Sequence, residues 1–296
     1  MKRLCGCLLG LSFALGTTGI ATAQEKSEGM MAPPKVLTIS REFVKPGKSG
    51  SIHDRSESAF VKAMSNAKWP THYLGLDSLS GKSRSLFLTG YDSFEAWEKD
   101  TRAQQKDATL TSALERAYAV DGALLDSIDQ SAWIFREDQS LNPTADIGHA
   151  RYMEFEVFHV KPGHEADWDA AVKLVKDAYA KGVPDAHWDM YQMVYGGTMA
   201  YVVINPMKSA SEIDRAFAQG KQFMEAMGAD GMKILGELSA AGIESVENNL
   251  FAINPHMSYV DDDVAKAAPE FWRPKPLSTP EAKPKSGKAD AKPTTP

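Results

Sequence analysis

The stretch Val36-Leu37-Thr38-Ile39-Ser40-Arg41-Glu42-Phe43-Val44-Lys45-Pro46-Gly47 decides the fold, because its pattern returns as Tyr152-Met153-Glu154-Phe155-Glu156-Val157-Phe158-His159-Val160-Lys161-Pro162-Gly163. The shared Val-Lys-Pro-Gly begins at Val44 and again at Val160, a shift of 116 residues. Ahead of it, apolar residues fall at every second position, the period of a half-buried strand. Leu37, Ile39 and Phe43 share one face in the first copy; Met153, Phe155 and Val157 share one in the second. Pro-Gly then turns the chain into a helix.

The same shift, within a residue or two, carries the rest of the pattern. In the first helix Ser51 and Asp54 have capping-box spacing, and Ile52, Ala59, Phe60, Ala63 and Met64 recur at helical spacing. The second helix offers Trp168, Ala171, Val172, Val175 and Tyr179, so the expected buried faces coincide. Each helix is followed by a hairpin: residues 71–79 and 84–90 around Ser80-Gly81, then residues 187–195 and 199–205 around Gly196-Gly197. A short helix follows in each copy, Phe94 and Trp97 matching Ala210 and Ile213. Longer helical stretches come next at 110–128 and 221–238, and final strands near 132–136 and 250–254. Each half thus reads βαββαβ, and the expected fold is α+β: two tandem ferredoxin-like units whose antiparallel sheets form one intrachain, pseudo-dimeric barrel with helices outside.

With that element order, each half resembles the dimeric α+β barrel superfamily, the group of antibiotic-biosynthesis-monooxygenase-like and NIPSNAP-like domains. The resemblance covers most of residues 35–260 and rests on element order and the strand-Pro-Gly-helix entry. It implies two sheets packed face to face. It also implies three kinds of activity found in the group: cofactor-independent oxygenation of activated phenols, haem degradation, and, in tandem chlorite dismutases, haem held on a histidine. None of those residue motifs is placed here position by position.

The ends of the chain set the compartment and the partners. Lys2 and Arg3, an apolar stretch from Leu4 to Leu15 and Ala21-Thr22-Ala23 before Gln24 form the pattern of a secretory signal with an A-x-A cleavage site. The expected mature protein is periplasmic or secreted. No apolar run reaches the about 20 residues that a membrane helix needs. Both cysteines, Cys5 and Cys7, fall inside the signal, so the mature chain has no thiol for disulfides or Cys-ligated metals. Without Lys2 and Arg3, 31 basic residues face 39 acidic ones, a balance of −8 that disfavours nucleic acid. Residues 274–296 alternate Pro, Lys, Ala, Ser and Thr with almost nothing apolar, and are expected to be disordered. The expected organisation is a signal at 1–23, a flexible segment at 24–35, the first unit at 36–140, a linker at 141–151, the second unit at 152–260 and an extension at 261–296. Phe271-Trp272 in that extension reads as a clasp on the body or as an exposed hook.

If the apolar strand faces pack on the helices, the opposite faces point into the barrel. That would place Thr38, Ser40 and Glu42 there, with Glu154, Glu156 and Phe158, joined by Ser85, Phe87 and Thr89 and by Tyr201, Val203 and Asn205. From these the candidate acid–base groups are Glu42, Glu154 and His187, and the candidate ligand-binding residues are Glu156, Phe158, Tyr201, Asn205 and His72. His72 and His187 occupy equivalent second-strand positions, either lining a shared cavity or lying at strand ends. Five of the seven histidines lie in or beside the second half, which is where chemistry is expected. No HxH or HExxH spacing occurs, so neither a metal nor another cofactor is expected. The methionines gathered in the second half read as core.

Two functional readings follow. The first is an exported barrel that binds a small apolar or aromatic molecule or a protein partner. The second is a cofactor-independent monooxygenase-like enzyme acting on a small aromatic substrate. Haem binding is a third, weakened by the absence of an identifiable proximal histidine. Whether the protein is an enzyme, and its oligomeric state, are left open by the residues alone.

Overall fold

The computed structural model describes residues 30–143, 145–275 and 277; the expected signal and nearly all of the Pro/Lys-rich tail lie outside them. The first half contains β1 (Val36–Val44), α1 (Ser51–Ala67), β2 (Tyr73–Ser78), β3 (Arg84–Tyr91), α2 (Phe94–Lys106), α3 (Ala108–Asp121) and β4 (Leu125–Phe135). The second contains β5 (Tyr152–Val160), α4 (Glu165–Gly182), β6 (Asp189–Tyr195), β7 (Ala200–Met207), α5 (Ser211–Gly242, two helical segments broken at Gly228, φ 71°) and β8 (Ile243–Ile253). Both halves have the same strand order, β2-β3-β1-β4 and β6-β7-β5-β8, all antiparallel. β4 then pairs with β6, and β8 with β2, closing an eight-stranded barrel. Closure leaves no strand edge exposed among the eight.

The Pro-Gly entry works as its residues require. Gly47 and Gly163 have φ of 76° and 84°, a region open to glycine at little steric cost, and each releases the chain from a strand toward a helix. β1 is central, paired to β3 and β4 along its length, with Ile39 between Leu88 and Ser131.

The strand faces lie opposite to the sequence expectation. Leu37, Ile39, Met153 and Phe155 point into the barrel, where they join Leu76, Leu86, Leu88, Val202, Ile204, Phe251 and Ile253 in one continuous core. Thr38, Ser40, Glu42, Glu154, Glu156 and Phe158 point outward to the helices. Both faces of each sheet are covered, and the two covers differ. The inside of an eight-stranded barrel is just wide enough for side chains, so it takes the more apolar face. The sheet–helix layer opens at its ends and tolerates carboxylates.

Local elements differ from expectation in several places, among them β8, which begins at Ile243 instead of near 250. The N-cap of α1 is Gly50 with no side-chain cap bond, so the expected Ser51/Asp54 box does not form; Asp54 instead accepts a 2.9 Å bond from Asn254 Nδ2. Ile52 is left 40% exposed, and α1 buries His53, Ser56, Glu57, Phe60, Ala63 and Met64. β4 begins at Leu125, inside the stretch expected to be helical, because pairing with β1 extends through the polar run Asp126 to Gln130. Of the methionines, Met190 is buried as expected, whereas Met224 and Met232 are exposed on α5.

The described segments that flank the barrel are tied down. Met30–Met31 pairs with Ala145–Asp146. After β8, the short helices α6 (Asp262–Ala267) and α7 (Pro269–Trp272) place Val264, Ala265 and Trp272 on the core cluster, and Trp272 Nε1 donates to the Gly148 carbonyl at 2.8 Å. Phe271-Trp272 is therefore a clasp. Arg151 completes it, its guanidinium 3.9 Å from the Phe271 ring centre. At the barrel rim Arg41 makes a forked pair with Asp129, at 2.6 and 3.0 Å, but both side chains are more than two-fifths exposed. Solvent screens such a pair, so Arg41→Ala is expected to lower stability by less than about 1 kcal/mol in urea denaturation.

Candidate functional site

Since the barrel interior is packed along most of its length, space for a small molecule lies mainly between each sheet and its helices. The second half holds a cavity of about 700 Å³ and the first one of about 360 Å³. A third, of about 490 Å³, sits at one mouth of the barrel.

In the second-half cavity, β5 contributes Glu154, Glu156 and Phe158, β7 contributes Val203 and Asn205, α4 contributes Trp168, Val172, Val175 and Tyr179, and His187 and Trp188 line it just ahead of β6. The period of two along β5 sends both glutamates the same way. Burial, with the Glu154 charge adding to it, pushes the Glu156 carboxyl up to about 7. Glu154 stands opposite Asn205 across the β5–β7 ladder, and Asn205 Oδ1 is buried with no donor. α5 and the turn before it add Lys208, Glu212 and Arg215, the two cations already paired with Asp146 and Glu212. Aromatic and aliphatic walls with a limited set of polar groups are the usual make-up of a small-molecule pocket, and the volume falls in the usual range.

The structure thus gathers five of the residues named from sequence, Glu154, Glu156, Phe158, Asn205 and His187, around one cavity. Tyr201 shares their face but is covered by Trp168, stacked at 4.6 Å, and does not line the cavity. His72 is elsewhere, stacked on Tyr259 at 4.6 Å and lining the barrel mouth beside Leu37, Met153 and Asp189. His72 and His187 therefore share no cavity, because the equivalent positions lie on opposite sides of the closed barrel wall. Asp189, buried at that mouth, is raised to about 6.

Glu42 belongs to the first half, in surroundings the sequence reading missed. It faces His53 and Glu57 on α1 and Asp121 at the end of α3; all four residues are 5% exposed or less. His53 Nε2 stands 3.3 Å from Glu42 Oε2, 3.4 Å from Asp121 Oδ1 and 3.7 Å from Glu57 Oε1. Among the described residues none of these four atoms has a hydrogen-bond partner, the short separations being misaligned for one. Burial and the charges of Glu42 and Asp121 push Glu57 up to about 10; burial also raises Glu42. For His53, burial works downward, but Glu42 and Asp121 outweigh it and the imidazole is raised. The densest set of buried titratable groups among the described residues therefore lies in the first half, not in the histidine-rich second. A signal for it existed. His53 and Glu57 are four apart, and both continue the Phe60 stripe backward by whole helical turns, a polar pair on an apolar face.

No family model and no curated protein matches this chain. Several solved structures align with it at low identity. An anthrone oxidase-like protein aligns with a TM-score of 0.48 and 15% identity over 76% of this chain and 94% of its own. A provisionally assigned monooxygenase from Lactobacillus acidophilus gives 0.45 and 9% over 74% and 93%. A chlorite dismutase variant from Candidatus Nitrospira defluvii gives 0.46 and 10% over 79% and 96%. The dimeric α+β barrel architecture itself stands on the strand order and on the two closing pairings, β4–β6 and β8–β2.

Proposed function

We propose that this is an exported binding barrel that holds one small, largely aromatic or apolar molecule in the second-half cavity. One observation carries the reading: a cavity of about 700 Å³ with aromatic and aliphatic walls in which Glu154, Glu156 and the unpartnered Asn205 Oδ1 lie together, while its two cations, Lys208 and Arg215, are already ion-paired with Asp146 and Glu212. A buried acceptor left unpaired costs about 1–3 kcal/mol, so the favoured ligand brings a donor, and a cationic amine suits the two glutamates best. Phe158, Trp168 and Tyr179 supply ring faces for its aromatic part.

The test pairs 2-phenylethylamine with phenylacetate, similar in shape and opposite in charge, in calorimetric titrations of the mature protein. Binding of the amine, rejection of the acid and about tenfold weakening by Glu156→Gln support the reading. Equal binding of both, or of neither, sinks it. N-terminal sequencing of protein recovered from the periplasm should begin at Gln24 if the chain is exported as proposed.

A second reading is favoured by Glu156 itself. A carboxyl near 7 can exchange a proton at neutral pH, which suits a base acting on a phenol in a cofactor-independent oxygenation. Oxygen uptake with a panel of phenols and hydroquinones, abolished by Glu156→Gln, is the expected result for that reading; no uptake with any of them counts against it.

A further inference from the structure

We propose that Glu42, His53, Glu57 and Asp121 form a binding site for one divalent transition-metal ion, of the class of Mn²⁺, Fe²⁺ or Zn²⁺, opening on the first-half cavity. The geometry is close to a formed ligand set. Metal–ligand bonds of about 2.1 Å place tetrahedral ligand atoms about 3.4 Å apart. His53 Nε2 lies 3.3, 3.4 and 3.7 Å from the three carboxylate oxygens, and all four atoms lie within 4.8 Å of one another. To share one ion the carboxylate oxygens, up to 4.8 Å apart, must draw together by up to about 1.4 Å, a movement within reach of side-chain rotation.

The tautomer of His53 fits that role. Ser85 Oγ donates its single proton to Asp77 Oδ1 at 2.8 Å, so toward His53 Nδ1, 3.4 Å away, it can only accept. Nδ1 therefore carries the hydrogen, and in the neutral ring the bare Nε2 lone pair faces three carboxylate oxygens. Such an outer hydrogen bond to the second ring nitrogen is how metal-ligating histidines are usually held. Without a cation or extra protons, four acceptor atoms face one another in a space from which water is excluded; each is buried and unpartnered. One nitrogen and three oxygens suit borderline to hard divalent ions, and with no cysteine in the set a soft ion has no preference for it.

The second half does not repeat the arrangement. At the positions 116 residues on, Phe158, Asp169 and Lys173 stand for Glu42, His53 and Glu57. Phe158 there packs on Trp168 at 5.0 Å. The two halves have thus diverged in what their sheet–helix layers hold. Glu42 and Glu57 also line the first-half cavity, with Tyr73, Phe87, Phe60 and Tyr118. An ion in the cluster would face a small molecule bound there.

The test uses the whole mature protein, treated with chelator, desalted and titrated with Co²⁺, Mn²⁺ and Zn²⁺. The expected result is one ion per chain, with visible ligand-field bands for Co²⁺. A rise in Tm of about 5–10 °C is expected at an ion concentration one hundred times Kd. Glu57→Gln and Asp121→Asn keep the side-chain shape and should each weaken binding about 100-fold or more. Glu98→Gln, on an exposed α2 carboxylate paired with Arg102, should leave it unchanged. Absence of stoichiometric binding overturns the proposal, as does binding indifferent to Glu57→Gln. A higher Tm of Glu57→Gln together with no response of the wild type to any of the three ions also overturns it, and shows that protons neutralise the cluster instead.

Discussion

Replacing Phe251 with alanine is expected to lower stability by about 3–5 kcal/mol and Tm by about 10 °C, with unfolding still a single transition. Phe251 is 1% exposed and sits on β8, where it meets Phe155 edge to face at 5.3 Å and lies beneath the Arg84 guanidinium at 5.1 Å. Its strand pairs with β5 of its own half and with β2 of the other, opposite Met153 and Ser78. The cavity left by truncation would open in a core that both halves build together, so damage there loosens both. Thermal and urea denaturation, followed by far-UV and near-UV dichroism, checks this. Two separate transitions, with only one moved, would show that the halves are independent domains and not one barrel.

The second large effect concerns Glu156. Its carboxyl lies near 7 in the folded chain against an ordinary value of 4.5, so between those pH values the folded protein holds a proton that the unfolded chain has released. Stability contributed by this group is thus whole below about pH 4.5, declines as pH rises, and reaches its full loss above about 7. The shift corresponds to at most about 3 kcal/mol. Glutamine keeps the shape and removes the charge. Glu156→Gln should therefore match the wild type near pH 4.5 and exceed it increasingly toward pH 8, by up to that amount. Urea midpoints of the two proteins across this range give the difference directly, other titrating groups cancelling. A constant difference between the two proteins would show that Glu156 is solvated. A gain in stability coupled with loss of amine binding is the pattern expected of a site that holds a charge for function at the expense of the fold.

Several corrections trace to the helix–sheet layer. Ile52 looked like the start of the buried face of α1 because it is apolar, and Ser51 with Asp54 looked like a cap. The face is set instead by which way α1 rolls onto β1 and β3, and that roll buries His53 and Glu57 in place of Ile52. Alternation along β1 identified two faces correctly but carried no label for which was inside, since in this architecture both are covered. His72 and His187 looked paired by position, yet His72 lines the barrel mouth and His187 the second-half cavity between sheet and helices.

What the sequence determined by itself is the scaffold: two βαββαβ halves, the Pro-Gly entry in each, the antiparallel sheets and the neighbourhood of Glu154, Glu156 and Asn205. Those features depend on periods of two and 3.6 and on turn chemistry, all local to a few residues. Tertiary structure alone decided that β4 joins β6 and β8 joins β2, which face is dry, and that one glutamate from β1, a histidine and a glutamate from α1 and an aspartate from α3 meet within 4.8 Å. Glu42 and Asp121 are 79 positions apart, and no local rule links them. Only the packing of α1 and α3 over β1 brings their oxygens into one buried space.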